Sequence, residues 1–205
     1  MGITGGRFAV SVISLMRPAA LALLLALCPA PFAQPAHSAS AVLTDRTAVL
    51  DGLFDKLRRE RSEPAAKKIA DAIWAEWLDS GSPSIDLMMG WANDAAKDKK
   101  WDVALDFLDQ VTLLMPSYAE VWNRRATVHF LRNDFAKSMT DIERTLKLEP
   151  RHFGALGGLA QIMQVTGRKA LALDAWQRVL AIYPMNRNAQ SEVSRLSEEL
   201  AGDGI

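Results

Sequence analysis

Cysteine is almost absent: Cys28 is the only one in 205 residues. No disulfide framework can staple this chain, so its stability has to come from packing, and thiol-built zinc or haem sites are excluded. Histidine is scarce as well. His37, His129 and His152 stand in no useful spacing with Ser, Asp or Glu, so the groupings that nucleophilic or acid–base catalysis requires are missing. The uninterrupted apolar run Ala19–Leu27 falls well short of the about 20 residues that cross a bilayer. There is no excess of either charge, with 24 basic and 24 acidic residues. Residues 1–41 carry only Arg7 and Arg17, leaving 22 basic and 24 acidic groups in the remainder. A mildly acidic body has the wrong sign for binding a phosphate backbone, which argues against nucleic acid as a partner. The glycines of Gly154-Ala155-Leu156-Gly157-Gly158 follow no strand, so they form no phosphate loop. Tight helix packing or the wall of a shallow groove is their expected role.

What the chain does have is a beat. Pro116, Pro150 and Pro184 stand 34 residues apart, and each closes a run of helical spacing: LDFLDQVTLLMP, MTDIERTLKLEP and LDAWQRVLAIYP. A fixed period of this length marks an all-α solenoid of antiparallel helix pairs. Helices of about 14 residues are marginal alone in water, and stacking them buries one continuous apolar seam. With 49% apolar residues there is ample material for it.

The N-terminus reads as an address. A cationic lead, the run Ala19–Leu27 and the small-residue stretch CPAPFAQPAHSASA describe a secretory signal peptide. Cleavage is expected after Ala41, Ala39 or Ala33, giving an exported, periplasmic or cell-envelope protein. The alternative is an uncleaved anchor, the one route by which this chain would engage a membrane. Met16-Arg17, directly before the apolar run, would itself make a compact leader, and the true start is expected there. Cys28 follows Leu27 and precedes Pro29, which does not suit lipidation.

Residues 1–41 are thus assigned to the leader. A first amphipathic stretch follows, with Thr44 as N-cap and Val49, Leu50, Leu53, Phe54 and Leu57 at three-to-four spacing. A second, Ala65–Leu78, carries Ile69, Ile73, Trp74 and Trp77 and ends at Ser80-Gly81. Together they make a degenerate first pair over 42–84. Three units then span 85–118, 119–152 and 153–184. Their helices are expected at Ser84–Lys97 and Lys100–Leu114, from a Ser117/Glu120 capping box to Arg132, then Phe135–Leu148, Arg151–Thr166 and Arg168–Ile182. Residues 185–205 close the chain with a capping helix, Val193, Leu196 and Leu200 on one face and Glu192, Arg195, Glu198 and Glu199 on the other. A solenoid needs such a polar-backed end.

Ala119–Pro150 carries the most complete unit. Trp122 opens its first helix, Ala126 sits where the two helices pinch together, and Phe135, Ser138, Ile142 and Leu146 follow in the second. In these residues the chain resembles the tetratricopeptide repeat family. Shifts of 34 align Ala92, Ala126 and Ala160, then Ala104, Ser138 and Ala172, then Leu108, Ile142 and Trp176. Counting back from Trp91, Ala104, Leu108 and Val111 reaches Leu57, Ala70, Trp74 and Trp77, so a fourth, degenerate repeat is expected over 51–84. Arg125, His129 and Arg58 depart from the family's columns. The resemblance implies a right-handed superhelix whose concave face, lined by the first helix of each pair, binds protein or peptide. On that face it places Asn93, Asn123, Arg124, Thr127, Phe130 and Gln161, whose amides would grip a peptide backbone. Met89, Asn93, Arg124, Gly154 and Gly158 match a carboxylate clamp only in part, and no clamp is expected.

The remaining candidates are read as structural. His129 belongs to an inter-helix packing column, and His152 to a turn, as a cap or polar contact. Asp102, Asp106 and Asp109 form a solvated row, and Asp134 and Asp141 polar surface or caps. The six tryptophans are expected mostly in the core. Lys97, Lys99 and Lys100 form a solvated turn, and Arg58, Arg59, Arg61, Lys67 and Lys68 the densest basic cluster. The expected function is a non-catalytic protein- or peptide-binding adaptor or assembly factor of the bacterial cell envelope, without cofactor or metal. The alternative is a membrane-anchored scaffold with no peptide ligand.

Overall fold

The computed structural model describes residues 37–202, with side chains from Arg46 onward. Over that range the chain is helical, without strands: α1 (His37–Arg59), α2 (Glu63–Leu78), α3 (Pro83–Lys97), α4 (Trp101–Leu114), α5 (Ala119–Leu131), α6 (Phe135–Leu148), α7 (Phe153–Val165), α8 (Lys169–Ile182) and α9 (Arg187–Gly202). The leader and a cut after Ala33 lie outside the described residues, while Ala39 and Ala41 fall in the first turns of α1. Thr44 therefore lies inside α1 and does not cap it; the alanines of HSASA favour helix and extend it upstream. Among the described residues, no helix is long and apolar enough to cross a membrane.

The turns repeat with the same period as the prolines. Lys99, Asn133 and Gly167 have φ of 59°, 60° and 75°. After each of them the next N–H closes back on the preceding helix: Lys100 on the carbonyl of Ala95 (2.8 Å), Asp134 on His129 (2.9 Å) and Arg168 on Met163 (2.7 Å). This left-handed ending satisfies carbonyls that the helix leaves open, and Gly167 adopts it without crowding from a Cβ.

Three hairpins, α3–α4, α5–α6 and α7–α8, then stack in order, with α5 on α4 and α7 on α6. The small-residue columns sit in the seam: Ala92, Ala126 and Ala160 are 2%, 2% and 0% exposed, and Ala104, Ser138 and Ala172 are equally buried. Without longer side chains between them the helix axes approach closely, and the Ser138 hydroxyl donates to the Ala126 carbonyl across the gap at 2.8 Å. Leu108, Ile142 and Trp176 are buried beside them, each of the first two contributing roughly 1.5–3 kcal/mol. At the far end α9 lays Ala189 and Leu196 onto the core it shares with α8. Its outer face pairs Arg195 with Glu192 and Glu199.

Two polar positions differ from the sequence reading. Asp141, expected on the polar surface or as a cap, is instead 2% exposed, and its carboxylate accepts from both Nε (2.8 Å) and Nη2 (2.7 Å) of Arg125. Arg125 also reaches Asp109 at 2.8 Å and lies over the Trp122 ring at 4.7 Å. An arginine is thereby accommodated in an apolar column, because its charge is matched and its stem and plane are packed. The expected capping box does not form either. The N-cap of α5 is Tyr118, without a side-chain cap, and Glu120 turns inward to 1% exposure.

The largest departure is the position of α1–α2. The pair forms, but α2 packs on α5 and sets Trp74 and Trp77 against Phe153 of α7, while α1 packs on α8. The fourth repeat expected over 51–84 is thus displaced from the α3 end of the stack onto the edge where the inter-repeat turns gather. Arg58, in the column that should hold a small residue, points to solvent, so this hairpin lacks the pinch that shapes the others. Its tryptophans find their partners on α7 instead.

Candidate peptide-binding groove

Three first helices, α3, α5 and α7, share the face predicted to bind. The N-terminal half of that face is covered. Trp74 meets the rings of His152 (5.4 Å) and Phe153 (5.6 Å) edge-on, and Trp77 stacks on His152 at 4.0 Å, 7° from parallel. A Cβ on Gly154 would lie 2.6 Å from the Trp74 ring, so only glycine there admits the indole. Tyr118 donates its hydroxyl to the carbonyl of Leu78 at 3.1 Å; burial, then the nearby Glu120 and Asp86 carboxylates, hold its phenol well above the usual range, keeping it a donor.

Beneath α2 lies a buried polar network that ties two repeats together. His152 caps α7, its Nδ1 accepting from the Ala155 N–H at 3.1 Å. The ring proton therefore belongs on Nε2, which donates to Glu120 Oε2 at 3.1 Å. The same carboxylate accepts from Asn123 Nδ2 (3.0 Å) and Arg124 Nε (2.6 Å). Glu120 and His152 side chains are wholly buried, so each donor is needed to offset the loss of water. Sequence reasoning gave His152 its capping role but missed this pairing. The one available sign was the 32-residue separation of Glu120 and His152, nearly one repeat.

The C-terminal half of the face is open. Asn93, Arg124 and Thr127 line a cavity of about 230 Å³ floored by Met89, Ala92, Leu108 and Val128. Asn123, Thr127, Phe130 and Gln161 line an adjoining one of about 190 Å³, with Gly154 and Gly158 in its wall. Thr127 belongs to both, so the two form a continuous groove from α3 to α7. Of the six residues named from sequence, all border this groove. Asn123 and Arg124 are in addition held by Glu120, and Asn123 is only 9% exposed. Asn93, Thr127, Phe130 and Gln161 face the cavities without that tie. A Cβ added at Gly157 or Gly158 would lie 3.5 Å from Trp176 or Ile142 respectively, an ordinary packing distance, and Gly158 also borders the groove. Between α4, α5 and α6 lies a separate polar hollow of about 380 Å³ bordered by Asp109, Arg125, His129, Lys137 and Asp141, where burial lowers the His129 pKa against the pull of Asp141.

A protein of Rhizobium etli described as a TPR repeat-containing protein is 47% identical over 191 residues, which cover 90% of this chain and 94% of its own. The chain belongs to the tetratricopeptide repeat family. No protein-family model matches the sequence. Solved tetratricopeptide domains share the fold: the Arabidopsis OM64 TPR domain (TM-score 0.53, 20% identity, 56% of this chain and 95% of that one), the Aspergillus fumigatus Sgt2 TPR domain (0.54, 16%, 60% and 83%), and the first TPR of Spaghetti bound to an HSP90 peptide (0.54, 22%, 57% and 93%). Each covers just over half of this chain, as a three-repeat array would.

Proposed function

We propose that this tetratricopeptide protein is a non-catalytic adaptor or assembly factor of the bacterial cell envelope, and that it holds an extended protein or peptide segment in the groove across α3, α5 and α7. The observation that carries the reading is the continuity of the two cavities through Thr127. An apolar floor lies under a rim of amide, hydroxyl and guanidinium groups, which suits a backbone that must be both desolvated and hydrogen-bonded. The Spaghetti domain, whose solved complex holds a peptide, supports the same use of a related array. Export rests on the N-terminal leader read from sequence.

The test is recovery of a specific protein from envelope fractions by the wild-type chain, and its loss with Thr127→Arg, which fills both cavities at their junction. Recovery of nothing specific, or equal recovery by the variant, would remove the support. Fractionation of the full-length chain with the inner membrane, together with an inert groove, would instead favour the anchored scaffold.

A further inference from the structure

The hairpin α1–α2 sits on one surface while its sequence register belongs to another. In the stack, the column Leu87, Val121, Ala155 faces the preceding repeat: Val121 and Ala155 are 0% and 1% exposed, whereas Leu87 is 53% exposed. Trp91, in the next such column, is 47% exposed and tilts against the Phe107 ring at 5.4 Å. Among the described residues, no helix covers Leu87 and Trp91, so the α3 end of the array is a stacking face left open. Residues 51–84 carry the register of the missing repeat, with Leu57, Ala70, Trp74 and Trp77 in its columns.

The surface the hairpin does occupy states its own ligand chemistry. Two indoles three residues apart on one helix enter a socket made by His152, Phe153 and a glycine without which the first would not fit. Glu63, at the start of that helix, meets Arg187 at 2.7 Å. The hold is incomplete. The indole N–H of Trp77 is buried and meets no acceptor, a cost that a better-fitting helix would avoid. The flanking ion pairs, Arg187–Glu63 and Arg151–Asp51, lie at the solvent edge, where such pairs add little. The link to α3 turns at Gly81, φ 76°, where the N–H groups of Gly81 and Ser80 donate to the Asp79 (2.8 Å) and Asp86 (2.9 Å) carboxylates.

We propose that the socket on α7 is a second docking surface, for a partner's amphipathic helix bearing an aromatic pair at positions i and i+3 with an acidic residue one helix length upstream, and that α1–α2 is its built-in competitor. When the partner helix enters, α1–α2 transfers to the bare α3 face and completes the stack as its first repeat. The inference rests on the protein-binding reading above and names a partner chemistry for a neighbouring part of the same face.

A labelled synthetic peptide of residues 63–78, EPAAKKIADAIWAEWL, titrated by fluorescence anisotropy into the full chain tests this. The Trp74→Ala, Trp77→Ala chain, whose own hairpin is loosened but whose socket is intact, is expected to bind the peptide at least about tenfold tighter than wild type. The same peptide with both tryptophans replaced by alanine is expected not to bind, and Gly154→Leu in the loosened chain is expected to abolish binding. Equal affinity for the two chains, or binding indifferent to the tryptophans, would overturn the socket. If the double variant loses helix beyond the hairpin by circular dichroism, Asp51→Arg, Glu63→Arg loosens the hairpin by charge and carries the same expectation. Leu87→Arg, remote from the socket, is expected to weaken peptide binding several-fold by spoiling the landing face. Unchanged affinity, or peptide-driven dimers in light scattering, would overturn the transfer. Envelope recovery through Thr127 can fail while this peptide binds, and the reverse, so the two readings fail separately.

Discussion

Replacing Trp77 with alanine should undock one hairpin and leave the rest of the array standing. Trp77 is 6% exposed and contacts Phe54, Trp74, His152 and Phe153. Deleting a buried aromatic of this kind costs about 3–5 kcal/mol, from which removal of the unpaired indole N–H returns about 1 kcal/mol. The net loss of about 2–4 kcal/mol corresponds to a roughly 30- to 700-fold fall in the docking equilibrium. Solenoid stability is a sum of nearest-neighbour terms, so the loss should stay with the hairpin. Amide hydrogen exchange followed by mass spectrometry resolves this: protection across α2 should fall by that factor while α4 and α6 keep theirs. An equal fall in every helix would show that α1–α2 is integral to one cooperative unit. An unchanged α2 would show that Trp77 does not hold it.

Three further perturbations probe the array itself. Ala126→Leu puts three extra carbons into a seam position that is 2% exposed and should destabilise by about 1–3 kcal/mol in chemical denaturation. Asp141→Ala leaves Arg125 with Asp109 as its one carboxylate partner and should cost about 1–3 kcal/mol, whereas Arg125→Leu with Asp141→Ala should recover part of it, since no half-buried guanidinium is then left short of a partner. His129 has its pKa lowered, chiefly by desolvation, with Asp141 and Asp134 opposing. The unfolded chain then takes up a proton near pH 6.5 that the folded chain refuses. Stability should be full above that pH and decline as pH falls through 6.5 towards the lower folded value, and His129→Gln should flatten that part of the stability–pH curve.

The spacing of Pro116, Pro150 and Pro184 made the helix pairs legible, because a 34-residue period is a local pattern repeated, and each seam residue reports on its column. The polar network was not legible in the same way. Glu120 follows Ser117 as a capping residue would, and nothing local distinguishes a carboxylate turned outward to a cap from one turned inward to a histidine in the next unit. Asp141 was misjudged for the same reason: its partner Arg125 lies 16 residues away and across a helix. The position of α1–α2 escaped because register says which face of a helix is apolar, not which of two apolar surfaces will cover it. Arg58 in the pinch column and the glycine at 154 were the available signs, and they gain meaning only when Trp74 is seen against Gly154. The groove residues were placed by family resemblance, which put Asn123 on the open face without showing that Glu120 already holds its amide.

A photo-crosslinking side chain at Gln161, which is exposed at the groove's edge, tests most directly whether the groove holds a protein segment. The expected result is one specific adduct from envelope fractions, abolished by Thr127→Arg while the variant's helical content is unchanged. No adduct, or one that persists with Thr127→Arg, would contradict the groove as the site of binding.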